Sequence, residues 1–234
     1  MWEWAGERHG PLPAFLLMLT FVTGLVDAVS VLRLGRVFVA NMTGNVVFTG
    51  FALAGAPGFS LVASVVALAG FLVGAGAGGI LIARLGRDRA RLLQITAGIE
   101  LILLAAATVL AAAGLPAGGF AIYVVAALLA LAMGLQNSAA RRLAVPDFTT
   151  TVLTMTLTGI AADLRTGQGQ RGVPRRIASV LAMGVGALVG AAFVLRALVW
   201  LPLALATALA AVVVLGLAAI ARPGQAWQLA DDAR

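Results

Sequence analysis

The chain has no cysteine and no lysine among its 234 residues, one histidine, one tyrosine and nine acidic side chains. Without cysteine there is no disulfide framework, no thiol nucleophile and no thiolate metal site. Without lysine there is no phosphate loop of the Gly-x4-Gly-Lys-Ser/Thr kind. The one histidine, His9, precedes the first apolar run, which excludes a Ser-His-Asp relay inside a membrane. Charge is scarce as well: 11% of residues are charged and 62% are hydrophobic, a balance foreign to a soluble domain of this length.

What the chain does have is long apolar runs. A helix needs about 20 apolar residues to cross a hydrocarbon core of about 30 Å, and such runs occupy 13–32, 60–83, 92–113, 119–140, 177–195 and 198–221. They predict an all-α membrane protein with six transmembrane helices in a single membrane domain over 1–234. The first run reads as a retained span, because Glu3 and Glu7 flank it together with Arg8 and no small-x-small cleavage site follows. Trp2, Trp4, Trp200 and Trp227 fall at or beyond the ends of runs, where an amphipathic ring prefers the headgroup layer.

Two further segments are too apolar for loops, yet too short and polar for comfortable spans. One covers 37–54 and contains Asn41-Met42-Thr43-Gly44-Asn45, then Thr49-Gly50; the other covers 148–164, with threonine at 149, 150, 151, 154, 156 and 158. They hold equivalent places in a weak tandem repeat of roughly 110 residues. Gly24-Leu25-Val26-Asp27 pairs with Gly134-Leu135-Gln136-Asn137, and Thr49-Gly50 with Thr158-Gly159. Gly70-Phe71-Leu72-Val73-Gly74-Ala75 pairs with Gly186-Ala187-Leu188-Val189-Gly190-Ala191. The repeats cover about 13–113 and about 119–221.

All sixteen basic residues are arginines, and their distribution bears on topology. If both short segments cross the membrane, the best orientation leaves nine arginines on one side and seven on the other, which is no bias. If both dip in and return, thirteen lie on the cytoplasmic side and only Arg33, Arg36 and Arg196 outside. The expected fold is therefore six transmembrane helices plus two re-entrant broken segments, a 3+3 inverted repeat with both termini cytoplasmic. The turns of both segments are expected near the midplane, where non-helical backbone must be buried in protein or face a water-filled cavity.

The runs Gly24-Leu25-Val26-Asp27-Ala28-Val29-Ser30 and Val37-Phe38-Val39-Ala40-Asn41-Met42-Thr43-Gly44-Asn45 resemble the YoaK-type family of bacterial membrane proteins of unknown function. Gly134-Leu135-Gln136-Asn137 and Thr149-Thr150-Thr151-Val152-Leu153-Thr154 extend the resemblance over nearly the whole chain. It departs at Met155, where that family usually has glycine. The resemblance implies a multi-pass protein of the bacterial inner membrane with a compact fold, and it brings no substrate or reaction.

Asp27 and Glu100 lie inside apolar runs, where an acid costs roughly 2.5–3.5 kcal/mol on insertion scales and normally faces the bundle interior. Each reads either as a coupling or solute-contacting carboxylate or as a hydrogen-bonded packing residue. Asn41, Thr43, Asn45, Asn137, Thr151, Thr154 and Thr156 are candidates to line a solute site, or else to satisfy the broken backbone. On the first reading, Asn45→Leu and Thr154→Val remove solute binding and leave folding largely intact. Gly70, Gly74 and Gly78 permit close helix approach, within one chain or across a homodimer seam. Gly74-Ala75-Gly76-Ala77-Gly78-Gly79 fits the dinucleotide fingerprint in letters only, since an uninterrupted apolar run surrounds it.

These features point to a secondary transporter or permease for a small polar or anionic solute rather than an enzyme, with no cofactor and no metal. The competing readings are a membrane-embedded enzyme acting on a lipid-like substrate, with Asp27 and Glu100 as acid and base, and a purely structural membrane protein. The lipid bilayer and a small solute are the expected partners, and nucleic acid is not: the net charge of +7 comes from arginines between spans.

Overall fold

The structure, a computed structural model, describes residues 9–114, 119–145, 153–166, 172–221 and 225–229. These form α1 (Leu12–Arg33), α2 (Met42–Leu53), α3 (Leu61–Leu85), α4 (Arg89–Ala112), α5 (Phe120–Leu143), α6 (Leu153–Thr166), α7 (Val173–Val194) and α8 (Trp200–Ile220). All except α2 and α6 are long and apolar enough to cross a membrane. Their ends lie within four residues of the apolar runs.

Local chemistry sets several of these ends. Ser60 Oγ accepts from the Ala63 N–H at the start of α3, and the Asp88 carboxylate accepts from the Arg91 N–H at the start of α4. A proline sits in the first turn of α1 and of α7, where its missing N–H would be unpaired in any case. Along the spans, Leu72, Val73, Ile102, Val109, Leu188 and Leu215 are each more than half exposed. Aliphatic surface on that scale belongs in contact with lipid.

The helices pack in matching couples. α3 lies against α5 and α1 against α7; α4 meets α5 and α1 meets α8; α2 lies on α3 and α6 on α7; α4 and α8 cross each other. Glycines allow the two closest approaches. A Cβ on Gly134 would overlap the Phe71 carbonyl oxygen, and one on Gly74 the Leu131 carbonyl oxygen. Across the other pair, a Cβ on Gly24 would overlap the Met183 carbonyl oxygen, and one on Gly186 that of Phe21. Gly70, Gly74 and Gly78 thus all face α5 of their own chain, and a second copy would have to displace α5 to reach them.

Polar bonds add to the packing. Ser138 Oγ donates to the Ala75 carbonyl across α5 and α3, and the Thr108 and Thr207 hydroxyls meet at 3.0 Å where α4 crosses α8.

A clasp closes one end of the bundle. Arg89, only 4% exposed, donates to the carbonyl of Leu143 at the end of α5 at 2.7 Å and to that of Trp227 at 3.4 Å, and lies 3.1 Å from His9 Nδ1. Trp227 belongs to the turn Ala226–Gln228, and its indole covers Gly10. It is buried there, whereas Trp200 at the start of α8 stays partly exposed. Four chain segments therefore meet on one guanidinium. Arg89→Ala should lower the midpoint of thermal unfolding in detergent by an amount corresponding to about 1.5–3 kcal/mol, the worth of hydrogen bonds to a charged group. The exposed neighbour Arg91→Ala should leave the midpoint unchanged.

Candidate functional site

After α1 the chain does not continue as helix. Residues 37–41 are irregular, yet Val37 and Val39 are fully buried, so their backbone groups need partners inside the protein. Two side chains supply them. Asp27 Oδ1 accepts from the N–H groups of Val39 and Ala40, both at 3.3 Å. Asn45, fully buried in the first turns of α2, accepts from the Phe38 N–H at 2.9 Å and donates to the Phe38 carbonyl at 2.5 Å. The carboxamide thus pairs with both backbone groups of one residue, as a neighbouring antiparallel strand would. Phe38, Phe48, Phe51 and Phe59 then cluster on the outer side, with centroid separations of 5.1–6.3 Å.

This geometry changes the expected depth and extent of the first broken segment. Asp27 lies six residues before Arg33, so the pinned backbone sits about 9 Å along α1 from its end, at 1.5 Å per residue. That is short of the midplane of a 22-residue helix about 33 Å long. α2 begins at Met42, directly after Asn41, so Thr43 and Asn45 already stand on helix.

Between Asp27 and the clasped end lies a different group of polar residues. One apolar cluster contains Leu16 and Leu19 of α1, Leu93 and Ala97 of α4, and Ala140 and Leu143 of α5. The other contains Val22 and Leu25 of α1, Leu104 and Ala107 of α4, and Leu129 and Met133 of α5. Where each helix passes from one cluster to the other stand Thr20 and Thr23, Glu100, and Gln136, each 2% exposed or less. Thr23 and Glu100 are both 11 residues, about 16 Å, from the clasped ends of their helices, and Gln136 is seven residues, about 10 Å, from its own. They therefore form one layer about a helical turn thick.

Within the layer Gln136 Nε2 donates to Thr23 Oγ1 at 3.0 Å, and Thr20 and Thr23 donate to carbonyls one turn back. Gln136 Oε1 and Glu100 Oε1 are buried and meet no hydrogen-bond partner among the described residues; above the layer the same is true of Asp27 Oδ2.

The other residues singled out by sequence fall as follows. Asn41 is half-buried at the start of α2, while Thr43 and Thr154 are exposed. Thr156 is buried in α6, and Asn137 is half-buried next to Gln136. Thr151 lies outside the described residues. Sequence reasoning passed over Thr23 and Gln136, because threonine and glutamine carry no charge to flag them inside an apolar run. The available signal was position: Gln136 lies on the same helical stripe as Leu129, Met133 and Ala140.

Among the grooves lined by described residues, two stand out by their chemistry. One, of about 550 Å³, is lined by Ala75, Gly79, Ile82, Ser138, Arg141, Arg142 and Ala144 at the clasped end. The other, of about 570 Å³, lies between α1, α7 and α8 and is lined only by apolar residues, among them Leu17, Met18, Phe21, Leu205 and Leu209. Among the described residues no carboxylate lines this second groove, the one with the chemistry to admit a lipid-like substrate.

Six apolar spans around a buried polar layer define a multi-pass membrane protein. The chain belongs to the family described as "Protein of unknown function (DUF1275)", which it matches over residues 15–216. It is also 31% identical over 152 residues to the "UPF0700 transmembrane protein YoaK" of Bacillus subtilis (strain 168), a match covering 64% of this chain and 65% of that protein. No solved structure matches.

Proposed function

We propose that the protein is a secondary transporter or permease of the bacterial inner membrane for a small polar or anionic solute, built as a 3+3 inverted repeat with re-entrant α2 and α6 and with both termini cytoplasmic. The observation that carries this reading is the polar layer lying where the two halves meet. Exchanging α1–α4 with α5–α8 maps each helix pairing given above onto another, and the α4–α8 crossing onto itself. The contacts Gly24 with Met183 and Gly134 with Phe71 are counterparts under that exchange. The Gln136–Thr23 bond lies two residues from one of these glycines and one from the other, close to the implied pseudo-two-fold axis. Inverted-repeat transporters place their sites at such junctions.

The broken segments act as covers on opposite sides of this layer. Asn41, Thr43 and Asn45 belong to one, with Asp27 on the preceding α1, and Thr151, Thr154 and Thr156 to the other, with Asn137 on the preceding α5. Arg141 and Arg142 at the first groove draw anions toward the cytoplasmic mouth. Among the described residues the apolar groove has no carboxylate to act on a lipid-like substrate, which favours transport over the enzyme reading.

Topology and transport are tested separately. In this cysteine-free chain, single cysteines at Ala56 and within 167–170 should be labelled by an impermeant thiol reagent from opposite sides. Labelling of both from outside overturns the re-entrant topology. In proteoliposomes, swelling in a panel of small sugars, amino acids and carboxylates should exceed that of protein-free vesicles for at least one solute. No excess for any of them overturns the transport reading.

A further inference from the structure

We propose that Glu100 and Gln136, with Thr23 beside them, bind a single monovalent cation, a proton or Na⁺, at the junction of the two halves. The site deepens the transport reading by naming its coupling species, and it rests on that reading for its role only.

Glu100 lies about 16 Å along α4 from Arg89 and about 14 Å from Arg91, at 1.5 Å per residue. On the elements packed against α4, α3 carries only Arg84 in its last turn, and α5 has Tyr123 in its first turn and Arg141 and Arg142 in its last. α8 carries no titratable side chain at all, nor does the turn Ala226–Gln228. On α1 the titratable group nearest the layer is a second acid, Asp27, whose Oδ1 already holds the broken backbone. No cation of the described residues offsets the Glu100 carboxylate, and an uncompensated carboxylate inside a bilayer is costly.

The second observation is independent of that acid. Gln136 is 2% exposed and fixed through its Nε2–H bond to Thr23, which leaves its Oε1 as an acceptor with no donor. Glu100 Oε1 is the same on the adjoining helix. Two orphaned oxygens about one helical turn apart in depth, on packed helices, call for a positive group between them. Oxygen ligands from a carboxylate, a carboxamide and a hydroxyl are hard donors suited to Na⁺, and the same oxygens can share a proton. A bound cation also removes the repulsion Glu100 would exert on an anionic solute.

The test uses the full chain in nanodiscs with no solute present, so it does not depend on whether transport occurs. Thermal unfolding is compared in NaCl and in choline chloride at equal ionic strength. Infrared difference spectra between two pH values report a protonated carboxyl. If the cation is Na⁺, the wild type gains about 4 °C or more in NaCl, and the gain vanishes in Glu100→Gln. If it is a proton, Na⁺ has no effect, and a carboxyl band is present that disappears in Glu100→Gln and changes frequency in Gln136→Met. Should Glu100→Gln not fold, Gln136→Met must still weaken the Na⁺ gain or move the band. Absence of both signals in the wild type overturns the proposal, as does either signal unaltered by the variants.

Discussion

Gly134→Val should abolish accumulation of folded protein. The glycine lies where α5 runs against α3, and even one methyl there would overlap the Phe71 carbonyl oxygen and sit 2.9 Å from the Ala75 amide nitrogen. Both obstacles are backbone, so no rotamer change relieves them and the helices must separate. Separation also breaks the Ser138–Ala75 bond on the same seam. The cost should exceed the about 1–3 kcal/mol of ordinary overpacking. Gly24→Val should behave alike at the counterpart seam, against Met183. Gly76→Ala and Gly184→Ala, where a Cβ meets nothing within 4 Å, should be neutral. Size-exclusion profiles and thermal unfolding in detergent distinguish these outcomes.

Asn45→Leu should have the next largest effect, on the fold itself. It leaves the Phe38 N–H and carbonyl without their partner between fully buried Val37 and Val39. At about 1–3 kcal/mol for each orphaned group, the loss is about 2–6 kcal/mol. The first broken segment should open before the rest of the bundle, becoming sensitive to protease near residues 38–41. Thr43→Val, at an exposed position, should change neither stability nor cleavage. Read from sequence alone, Asn45 either lines a solute site or satisfies the broken backbone. The bonds to both backbone groups of Phe38 show the second role, whose partner is invisible without the folded backbone.

The six spans were legible because bilayer thickness imposes a length, and an apolar run of that length has few other uses. The break at residues 37–41 was legible for the complementary reason: Asn41 and Asn45 are misplaced in a lipid-facing helix. The partners of polar groups were not legible. Gln136 reaches Thr23 across 113 residues, and no local pattern encodes that meeting. The glycine registers show how a pattern misleads. The sequence match sets Gly70 and Gly74 beside Gly186 and Gly190, whereas the contacts make Gly74 and Gly78 their counterparts. Gly190 meets Ala28 and Leu25, as Gly78 meets Ser138 and Leu135. With glycine at three successive four-residue steps, two registers fit the letters equally, and only the facing helix chooses between them.

The hydrogen bonds that Asp27 accepts from Val39 and Ala40 also bear on the order of events during synthesis. α1 is the most enclosed of the six spans and the first of them to be made, yet its seam with α7 must wait for residues 173–194. Through that interval a carboxyl within the first span has no distant helix to turn to. Its partners lie only 12 and 13 residues downstream, so they emerge almost at once and can shield the acid while most of the chain is still unmade. A break just after the first span thus lets that span rest in lipid as a self-contained unit until its later neighbours arrive.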